Sequence, residues 1–382
     1  MQFRSSMLCR FSLAFTLAGV THGVACYSQD QTQQPSSRPS VTERLKRDDA
    51  NQDGKVTRAE FQGPARLFSR MDRDGDGVIE LAEESIPQRV RQPTNERTTA
   101  VRSQRNPAGT RVLRNVVFGQ GGGRDLTMHI VLPEKPRSEP SPLMVWIHGG
   151  GWMGGTKDGG VNQLARWVAD GYVGATIEYR LTGEAPFPAQ IEDCKCAIRF
   201  LRAHAEEYGI DSERIGVAGS SAGGHLVALL GTSGDVKEFE GTGGWQDQSS
   251  TVQAVVDLYG PTDFEAFVTE PGYEAHNRDG SPESKLLGGG EVLPNQAGIK
   301  KVNPITYIDA DDPPFLIIHG TADPVVPMNQ SQKLHAALET ANVPSKLHLI
   351  RGAKHGGKGF SSREVREMIQ SFIDEHLNPQ ED

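Results

Sequence analysis

Two adjacent serines lie among glycines in the segment GVAGSSAGGHL, residues 216–226. In a G-x-S-x-G elbow the serine occupies a sharp turn from a strand into a helix, and glycines two residues to either side leave room for the turning backbone. Ser221 has glycines at both of these positions, whereas Ser220 has alanines. We therefore predict that Ser221 is a nucleophile and that Ser220 is only its neighbour.

A serine hydroxyl attacks a carbonyl efficiently only when an imidazole accepts its proton and a buried carboxylate orients that imidazole. Enzymes built on this elbow have these groups in the chain order serine, acid, histidine. HGTADPVVP supplies Asp323 after the apolar stretch PFLIIHG, and GAKHGG supplies His355 after SKLHLI. The rival acids are Asp257, interpreted as a structural group at a strand end, and Asp263, interpreted as a helix cap after a proline turn. The sequence thus predicts a triad of Ser221, Asp323 and His355.

A glycine-rich segment, HGGGW at residues 148–152, follows the apolar stretch LMVWI. The tetrahedral intermediate of acyl transfer has a negative charge that backbone N–H groups stabilise, and glycines let a backbone come close to a substrate. The alternative is a flexible glycine loop without chemistry. Its position after a strand and before the elbow favours an oxyanion hole.

Strand and helix patterns alternate from Arg111 onward. Buried apolar strands that alternate with amphipathic helices form a mainly parallel sheet with helices on both faces. The predicted fold class is therefore α/β, with a doubly wound, mainly parallel sheet. Sites in such sheets form at the carboxyl ends of strands, and each segment with candidate chemistry follows a strand.

Two twelve-residue segments near the N-terminus, DANQDGKVTRAE and DRDGDGVIELAE, share one pattern. Each has oxygen-bearing side chains at positions one, three and five, glycine at six, a β-branched residue at eight and glutamate at twelve, as in an EF-hand calcium loop. The alternative is a pair of solvated acidic turns. The predicted Ca²⁺ ligands are the side chains, or for Lys55 and Val78 the carbonyl groups, of Asp49, Asn51, Asp53, Lys55, Glu60, Asp72, Asp74, Asp76, Val78 and Glu83.

The short segment FQGPARLFSRM between these loops leaves room for one compact loop-helix-loop unit. We predict a small α-helical EF-hand pair, which resembles dockerin-like and other short EF-hand pairs of exported bacterial proteins. The residues are compatible with three roles for this unit: calcium-dependent folding, docking to a protein partner, or neither of these. The ion is not expected to take part in the chemistry.

From about Val112 to Leu377 the chain resembles the α/β-hydrolase superfamily, specifically HGGG-bearing esterases close to hormone-sensitive-lipase-like enzymes. It is similar to the bacterial feruloyl-esterase-like (BD-FAE-like) carbohydrate esterases, which have runs like HGGGW, EYRL, APFPAQIEDCKCAIRFLR, GSSAGGHL, YGPTD and HGTADPVVP. The resemblance implies a serine esterase that acts through an acyl-enzyme on acetyl or feruloyl esters of carbohydrates or on small esters. It also implies an oxyanion hole formed by the N–H groups of Gly150, Gly151 and Ala222.

The resemblance further implies a cap between Asp263 and Ile305, either a mobile, substrate-facing insertion or a long surface excursion. A serine peptidase of the same fold is one alternative function, but enzymes of the prolyl-oligopeptidase type usually lack HGGG and have a propeller for which this chain has no room. A non-catalytic calcium-dependent binding protein is the other alternative, against which the intact order of the triad argues.

Charge and the N-terminal pattern limit the partners and the location. A formal net charge of −9 argues against nucleic acid as a partner. Arg4 and Arg10 precede the apolar run FSLAFTLAGV and small residues, which indicates an export signal, and no stretch reaches transmembrane length. We predict a periplasmic or extracellular protein that is cleaved near Ala25, with a lipoprotein anchored at Cys26 as the alternative.

The predicted domains follow from these segments. They are a signal peptide, 1–25, a polar disordered segment, 26–40, the EF-hand pair, 41–86, a flexible linker, 87–110, and the α/β-hydrolase domain, 111–378. Cys194 and Cys196 fall on one predicted helix, where a disulfide between them is geometrically poor. We interpret both as small packing side chains, and predict no metal site there.

Overall fold

The structure, a computed structural model, describes residues 41–63, 68, 78–80 and 106–378. These residues belong to two compact units, one within residues 1–99 and the other within residues 100–382. The predicted signal peptide, the polar segment after it and most of the predicted linker lie outside the described residues. Within the described part of the chain, none of the helices has the length and apolar character needed to cross a bilayer.

The first unit contains a short antiparallel pairing between the two predicted calcium loops. Helix α1 (Val41–Asp48) leads into the first loop, strand β1 (Lys55–Thr57) follows, and strand β2 (Val78–Glu80) lies in the second loop. The register places Val56 opposite Ile79, which are the β-branched residues at position eight of the two loops. The buried apolar cluster around them consists of Leu45, Val56, Phe61, Phe68 and Ile79. The position-eight residues therefore join the two loops into one unit.

An eight-stranded sheet forms the centre of the second unit. Its strands are β3 (Thr110–Gly121), β4 (Arg124–Pro133), β5 (Ser141–Ile147), β6 (Val173–Ile177), β7 (Ile210–Ser220), β8 (Ala254–Leu258), β9 (Phe315–Gly320) and β10 (Ser345–Ile350). Their spatial order is β10-β9-β8-β7-β5-β6-β4-β3. Strand β4 pairs antiparallel with β3 and β6, and all the other pairs are parallel. The sheet is therefore mainly parallel, with an antiparallel hairpin at one edge.

Helices cover both faces of this sheet. They are α2 (Gly160–Ala169), α3 (Ala189–Ala203), α4 (Ala205–Tyr208), α5 (Ala222–Thr232), α6 (Phe264–Thr269), α7 (Pro282–Leu286), α8 (Gln296–Val302), α9 (Asn329–Thr340) and α10 (Arg363–Leu377). One apolar cluster includes residues of α3 and α5, and a second includes residues of α2 and α10. Because both faces are covered, every residue of β6, β8 and β9 is buried. The predicted doubly wound α/β fold is confirmed.

The segment predicted as a cap forms short helical turns between β8 and β9. Helices α6, α7 and α8 and the 3-10 turn Glu274–Asn277 make up most of it. Asp263, Ser281 and Asn295 each precede one of these helices, and their side chains accept a hydrogen bond from a backbone N–H in its first turn. Each cap helix thus begins at a capping side chain that the local sequence supplies.

Both described cysteines lie in α3. Cys194 and Cys196 are buried and free of disulfide bonds. Burial raises the pKa of the Cys196 thiol to about 11, so this thiol is protonated at neutral pH. The interpretation of these cysteines as packing side chains is confirmed.

Candidate active site

Ser221 occupies the turn between β7 and α5. Its backbone has φ 56° and ψ −121°, a conformation that costs a residue with a side chain about 1–3 kcal/mol. The flanking glycines permit this turn. A Cβ on Gly219 would lie 2.3 Å from the Gly223 carbonyl oxygen, and a Cβ on Gly223 would lie 2.2 Å from the Ile147 carbonyl oxygen. The close backbone approach therefore explains the glycines on either side of Ser221.

His355 lies between Ser221 and Asp323. Its Nε2 is 2.9 Å from Ser221 Oγ, and its Nδ1 is 2.7 Å from Asp323 Oδ2. Because an ionised carboxylate only accepts hydrogen bonds, the proton of the neutral imidazole belongs on Nδ1, and Nε2 is available to accept the Ser221 proton. Side chains that follow β7, β9 and β10 thus meet in the arrangement that general-base activation of a serine requires.

Several hydrogen-bond donors surround the Asp323 carboxylate. Its Oδ1 accepts from the N–H groups of Val325 and Val326 at 2.8 and 3.0 Å, and its Oδ2 faces both His355 and His319. Burial alone would raise the pKa of Asp323, but the hydrogen bonds from the two histidines and the two N–H groups outweigh burial and hold this pKa well below its usual range. Asp323 is therefore ionised at neutral pH.

His319 is a buried second imidazole beside Asp323. Its Nε2 is 3.0 Å from the Val326 carbonyl oxygen and 3.4 Å from Asp323 Oδ2, and its Nδ1 is 2.7 Å from Ser331 Oγ. Both neighbours of Nε2 are acceptors, so this nitrogen has the proton and Nδ1 accepts from the Ser331 hydroxyl when the ring is neutral. His319 thus helps to fix the orientation of the Asp323 carboxylate.

Two tyrosines contact the His355 and Asp323 loops. The ring centroid of Tyr259 is 4.6 Å from that of His355 and 4.6 Å from that of Phe360. The hydroxyl of Tyr273, which belongs to the cap segment, donates a hydrogen bond to the Asp323 carbonyl oxygen. The first contact restricts the His355 ring, and the second joins the cap to the acid loop.

Gly150, Gly151 and Ala222 line the same pocket as Ser221. Within the part of the chain that the structure describes, no hydrogen-bond acceptor is found for the backbone N–H groups of these three residues. Gly150 has φ 121°, and a Cβ there would lie 2.3 Å from the Gly154 carbonyl oxygen. Ala222 begins α5, so the positive end of the helix dipole adds to its N–H. The loop and the helix start together offer donors to an oxyanion.

The two rival acids have structural partners. Asp263 Oδ1 accepts from the Ala266 N–H at 3.1 Å, which confirms its interpretation as a helix cap. Asp257 is buried on β8, and its Oδ1 accepts from the Gly260 N–H at 2.8 Å. The carboxylate within hydrogen-bond distance of His355 is Asp323.

We expect Asp257 to make the protein less stable as the pH rises from about 4 to about 6. Burial raises the pKa of Asp257 to about 6, against the smaller opposing effects of the Gly260 N–H and His319. In this pH range the unfolded carboxyl, with a pKa of about 3.9, loses its proton before the folded one does, so unfolding becomes easier. The expected loss is on the order of 2–3 kcal/mol.

Urea unfolding of wild type and Asp257→Asn at pH 4 and pH 7.5 measures this loss. The amide cannot ionise, so the free energy of unfolding of the variant should gain about 2–3 kcal/mol relative to wild type between the two pH values. Any cost of the new amide itself is independent of pH and cancels in this difference. A difference that stays constant with pH would show that Asp257 is not responsible.

A pocket of about 590 Å³ has Ser221 and His355 in its wall. The cap contributes His276, Pro282 and Glu283 to the lining. This volume is in the usual range for small-molecule sites. A second cavity of about 600 Å³ lies between α2 and α10, and neither Ser221 nor His355 lines it.

The first predicted calcium loop has the backbone turn and the donor types of a hard-cation site. The Asp49 carboxylate accepts from the N–H groups of Asp53 and Gly54 at 3.2 and 3.0 Å, and Gly54 has φ 81°. Asn51 Oδ1 accepts from the Asp53 N–H, and Asp53 Oδ1 accepts from the Lys55 N–H. Carboxylate and amide oxygens around a glycine turn fit the chemistry of Ca²⁺.

The carboxylate of the last glutamate in this loop hydrogen-bonds to a residue of the same loop. Glu60 Oε2 accepts from the N–H and the hydroxyl of Thr57. Among the described residues, no three His, Cys, Asp or Glu side chains are grouped closely enough to bind a metal ion. In the second loop only Val78 of the predicted ligands is described. The ligands that lie outside the described residues are Asp72, Asp74, Asp76 and Glu83.

The sequence profiles of two families match this chain. The EF-hand profile matches residues 48–63 and 65–83. The BD-FAE profile matches residues 128–338, which are more than half of the chain. The chain belongs to the BD-FAE family.

Named relatives of this BD-FAE protein are esterases. It is 27% identical over 270 residues to Esterase LipQ of Mycobacterium tuberculosis (strain ATCC 25618 / H37Rv), an alignment that covers 68% of this chain and 61% of LipQ. A truncated carbohydrate esterase from gut microbiota superposes with a TM-score of 0.64 at 29% identity, over 72% of this chain and 100% of the other. An esterase of the Planctomycetes species Thermogutta terrifontis superposes with a TM-score of 0.58 at 26% identity, over 72% and 96%. The chain thus spans less than two thirds of the length of LipQ.

The sequence patterns did not identify several residues that contact the triad or line its pocket. These residues are Tyr259, Tyr273, His276, Glu283 and His319. His319 had a usable signal, because a histidine at the end of a buried strand and four residues before the acid lies next to it at the sheet edge. The cap residues had none, since their contacts depend on how the cap folds.

Proposed function

We propose that this protein is a serine-dependent carboxylic ester hydrolase. The observation on which the proposal rests is the hydrogen-bonded series from Asp323 through His355 to Ser221 Oγ, with distances of 2.7 and 2.9 Å. The esterase names of the relatives support it, as does the Thermogutta terrifontis esterase, which is phosphonylated by sarin in one solved structure.

The reaction has two steps. In the first, Ser221 Oγ attacks the ester carbonyl while His355 Nε2 accepts its proton; the same proton then goes to the departing alcohol, which leaves an acyl-enzyme. In the second, His355 takes a proton from water, the hydroxide attacks the acyl carbon, and the proton returns to Ser221 as the acid departs. Asp323 stabilises the imidazolium that forms in both steps.

The N–H groups of Gly150, Gly151 and Ala222 stabilise the oxyanion of each tetrahedral intermediate. Their hydrogen atoms have no acceptor within the described residues, so binding an oxyanion breaks no existing bond there. Loss of one donor of this kind typically lowers kcat by about 10²–10³-fold. These three groups act together on the atom whose charge changes most.

We propose acetyl or feruloyl esters of carbohydrates, or small esters, as the substrates. The similarity to a solved carbohydrate esterase supports a carbohydrate as the alcohol, and a pocket volume of about 590 Å³ supports a small or planar acyl group. We further propose that the protein is exported, on the N-terminal charge and apolar pattern described above.

A panel of substrates tests this proposal on the purified full chain. It contains p-nitrophenyl esters of increasing chain length, methyl ferulate, acetylated xylan and a peptide p-nitroanilide. We expect hydrolysis of the short p-nitrophenyl esters and of at least one of the two natural ester types, and none of the anilide. Cleavage of the anilide without cleavage of any ester would favour the peptidase alternative instead.

We propose that the first EF-hand loop binds Ca²⁺ through Asp49, Asn51, Asp53, the Lys55 carbonyl and Glu60, and that the second loop binds it in the same way.

Calorimetric titration of the full chain with CaCl₂ is expected to give a Kd of about 10⁻⁴–10⁻³ M. Asp49→Ala should remove the heat of the first loop, whereas the exposed control Asp247→Asn should not. Turnover should change less than about twofold in the presence of a chelator. No heat in wild type, or a large loss of turnover, would contradict this account.

A further inference from the structure

The cap places a buried carboxylate in the wall of the catalytic pocket. Glu283 is 3% exposed, and its Oε2 is 2.9 Å from His276 Nδ1. The His276 ring packs against Phe267, with 4.6 Å between centroids. Both His276 and Glu283 line the pocket that contains Ser221. A buried carboxylate is costly unless donors satisfy its oxygens.

Two acceptor atoms of this pair have no partner among the described residues. Within the residues that the structure describes, neither Glu283 Oε1 nor His276 Nε2 takes part in a hydrogen bond. When the His276 ring is neutral, the Glu283 carboxylate places the ring proton on Nδ1, and Nε2 then has a free lone pair. The pair therefore provides two acceptors, and a ligand with two hydroxyl groups satisfies both.

The charge of the pocket favours a neutral ligand. In the described part of the chain, no lysine or arginine lines this pocket, and Glu283 is its acidic residue. An anionic substrate would therefore meet a carboxylate with no nearby cationic side chain in the wall, which raises the cost of binding in a partly dehydrated site. A neutral alcohol does not have this cost.

Two contacts of the cap locate His276 and Glu283 relative to the Asp323 loop and the oxyanion loop. Tyr273 hydrogen-bonds to the Asp323 carbonyl oxygen and lies three residues before His276. Pro282 precedes Glu283 and lies within 3.3 Å of where a Cβ on Gly151 would be. His276 and Glu283 thus lie between the loop of Asp323, whose partner His355 protonates the departing alcohol, and the oxyanion loop. Both residues line the same pocket as His355, which in the proposed reaction gives its proton to the departing alcohol.

We propose that His276 and Glu283 accept hydrogen bonds from two hydroxyl groups of the leaving alcohol and thereby select esters of neutral polyols. The inference rests on the proposed ester hydrolysis, because it assigns the alcohol subsite of the same pocket. It concerns specificity, since neither residue touches the reacting atoms.

Three acetate esters of three-carbon alcohols separate the contributions of hydroxyl groups and charge. They are 1-acetylglycerol, propyl acetate and 3-acetoxypropionate, and acetate release is followed for each. For wild type, we expect kcat/KM for 1-acetylglycerol to exceed that for propyl acetate by about tenfold or more, and 3-acetoxypropionate to be the poorest. The acetyl group is the same in all three, so the differences report on the alcohol.

Two variants of Glu283 and one control complete the test. Glu283→Gln removes the charge with little change in shape, and should lower the glycerol-to-propyl ratio while raising kcat/KM for 3-acetoxypropionate by about tenfold. Glu283→Met removes both acceptors of this side chain and should reduce the ratio further. The control is Glu339→Gln. The Glu339 carboxylate is exposed, lies 3.6 Å from His335 and does not line the pocket, so this variant should leave the glycerol-to-propyl ratio and kcat/KM for 3-acetoxypropionate unchanged.

The outcomes distinguish this inference from the proposed function. If wild type hydrolyses neither these three esters nor any ester of the substrate panel, the ester hydrolase proposal itself fails; if it hydrolyses esters of the panel but none of these three, the polyol subsite is wrong. If wild type hydrolyses them with a ratio near one, or if the ratio survives in both folded Glu283 variants, the polyol subsite is wrong and the hydrolase proposal stands. A gain on 3-acetoxypropionate in Glu283→Gln supports the subsite, because a purely structural role of Glu283 produces losses only.

Discussion

Replacing Ser221 with alanine is expected to lower kcat for p-nitrophenyl acetate by about 10⁶-fold. The Cβ remains, so the elbow and its backbone are unchanged, but no oxygen remains 2.9 Å from His355 Nε2. The oxyanion donors and the pocket persist, so a small residual rate above that of water is expected. Steady-state kinetics on protein with a wild-type melting temperature measure the loss.

The matched control for this variant is Ser220→Ala. Ser220 is the preceding residue and lines the same pocket. The serine oxygen within hydrogen-bond distance of His355, however, is Ser221 Oγ. We expect Ser220→Ala to lose less than about tenfold in kcat. Equal losses in the two variants would mean that the elbow tolerates no substitution, and a larger loss in Ser220→Ala would contradict the assignment of the nucleophile.

Asp323→Asn is expected to lower kcat by about 10⁴-fold. In the wild type, Asp323 Oδ1 accepts hydrogen bonds from the Val325 and Val326 N–H groups. The carbonyl oxygen of the new amide would keep both of these bonds. The NH₂ group of the amide would then face His355 Nδ1, which must become an acceptor, so the ring proton would move to Nε2. In that tautomer His355 cannot accept the Ser221 proton.

Asp263→Asn is the control for this substitution. Asp263 caps α6 through the Ala266 N–H, and asparagine caps helices about as well as aspartate. This variant should therefore retain kcat within a few-fold and change stability by less than about 1 kcal/mol. If Asp323→Asn retained wild-type kcat at every pH, another group would have to orient His355, and the triad would be wrong.

The predictable parts of this site are those fixed by backbone geometry close to the residue itself. The elbow needs Gly219 and Gly223 because the turn brings backbone atoms within about 2.3 Å of where their Cβ atoms would be, so the motif alone locates Ser221. Buried strands end at the same edge of a parallel sheet, which is why the segments after β9 and β10 could be expected to meet at Ser221.

The cap contacts could not be predicted in this way. His276 and Glu283 belong to short helical turns whose packing on the oxyanion loop depends on contacts such as that between Pro282 and Gly151. No periodic pattern relates these positions to Ser221. Ser281, which caps the helix that contains Glu283, is visible in the sequence as a local helix start, but a local start does not determine where the helix packs.

Labelling of the full chain with a fluorophosphonate tests the central claim most directly, because the reagent reacts with a serine only when its hydroxyl is activated. Mass spectrometry of the wild-type protein should show one adduct per chain, on the peptide that contains Ser221. Ser221→Ala should show none, and Asp323→Asn should react far more slowly. An active wild-type enzyme that remained unlabelled, or that was labelled at a different serine, would contradict the claim that Ser221 is activated by His355 and Asp323.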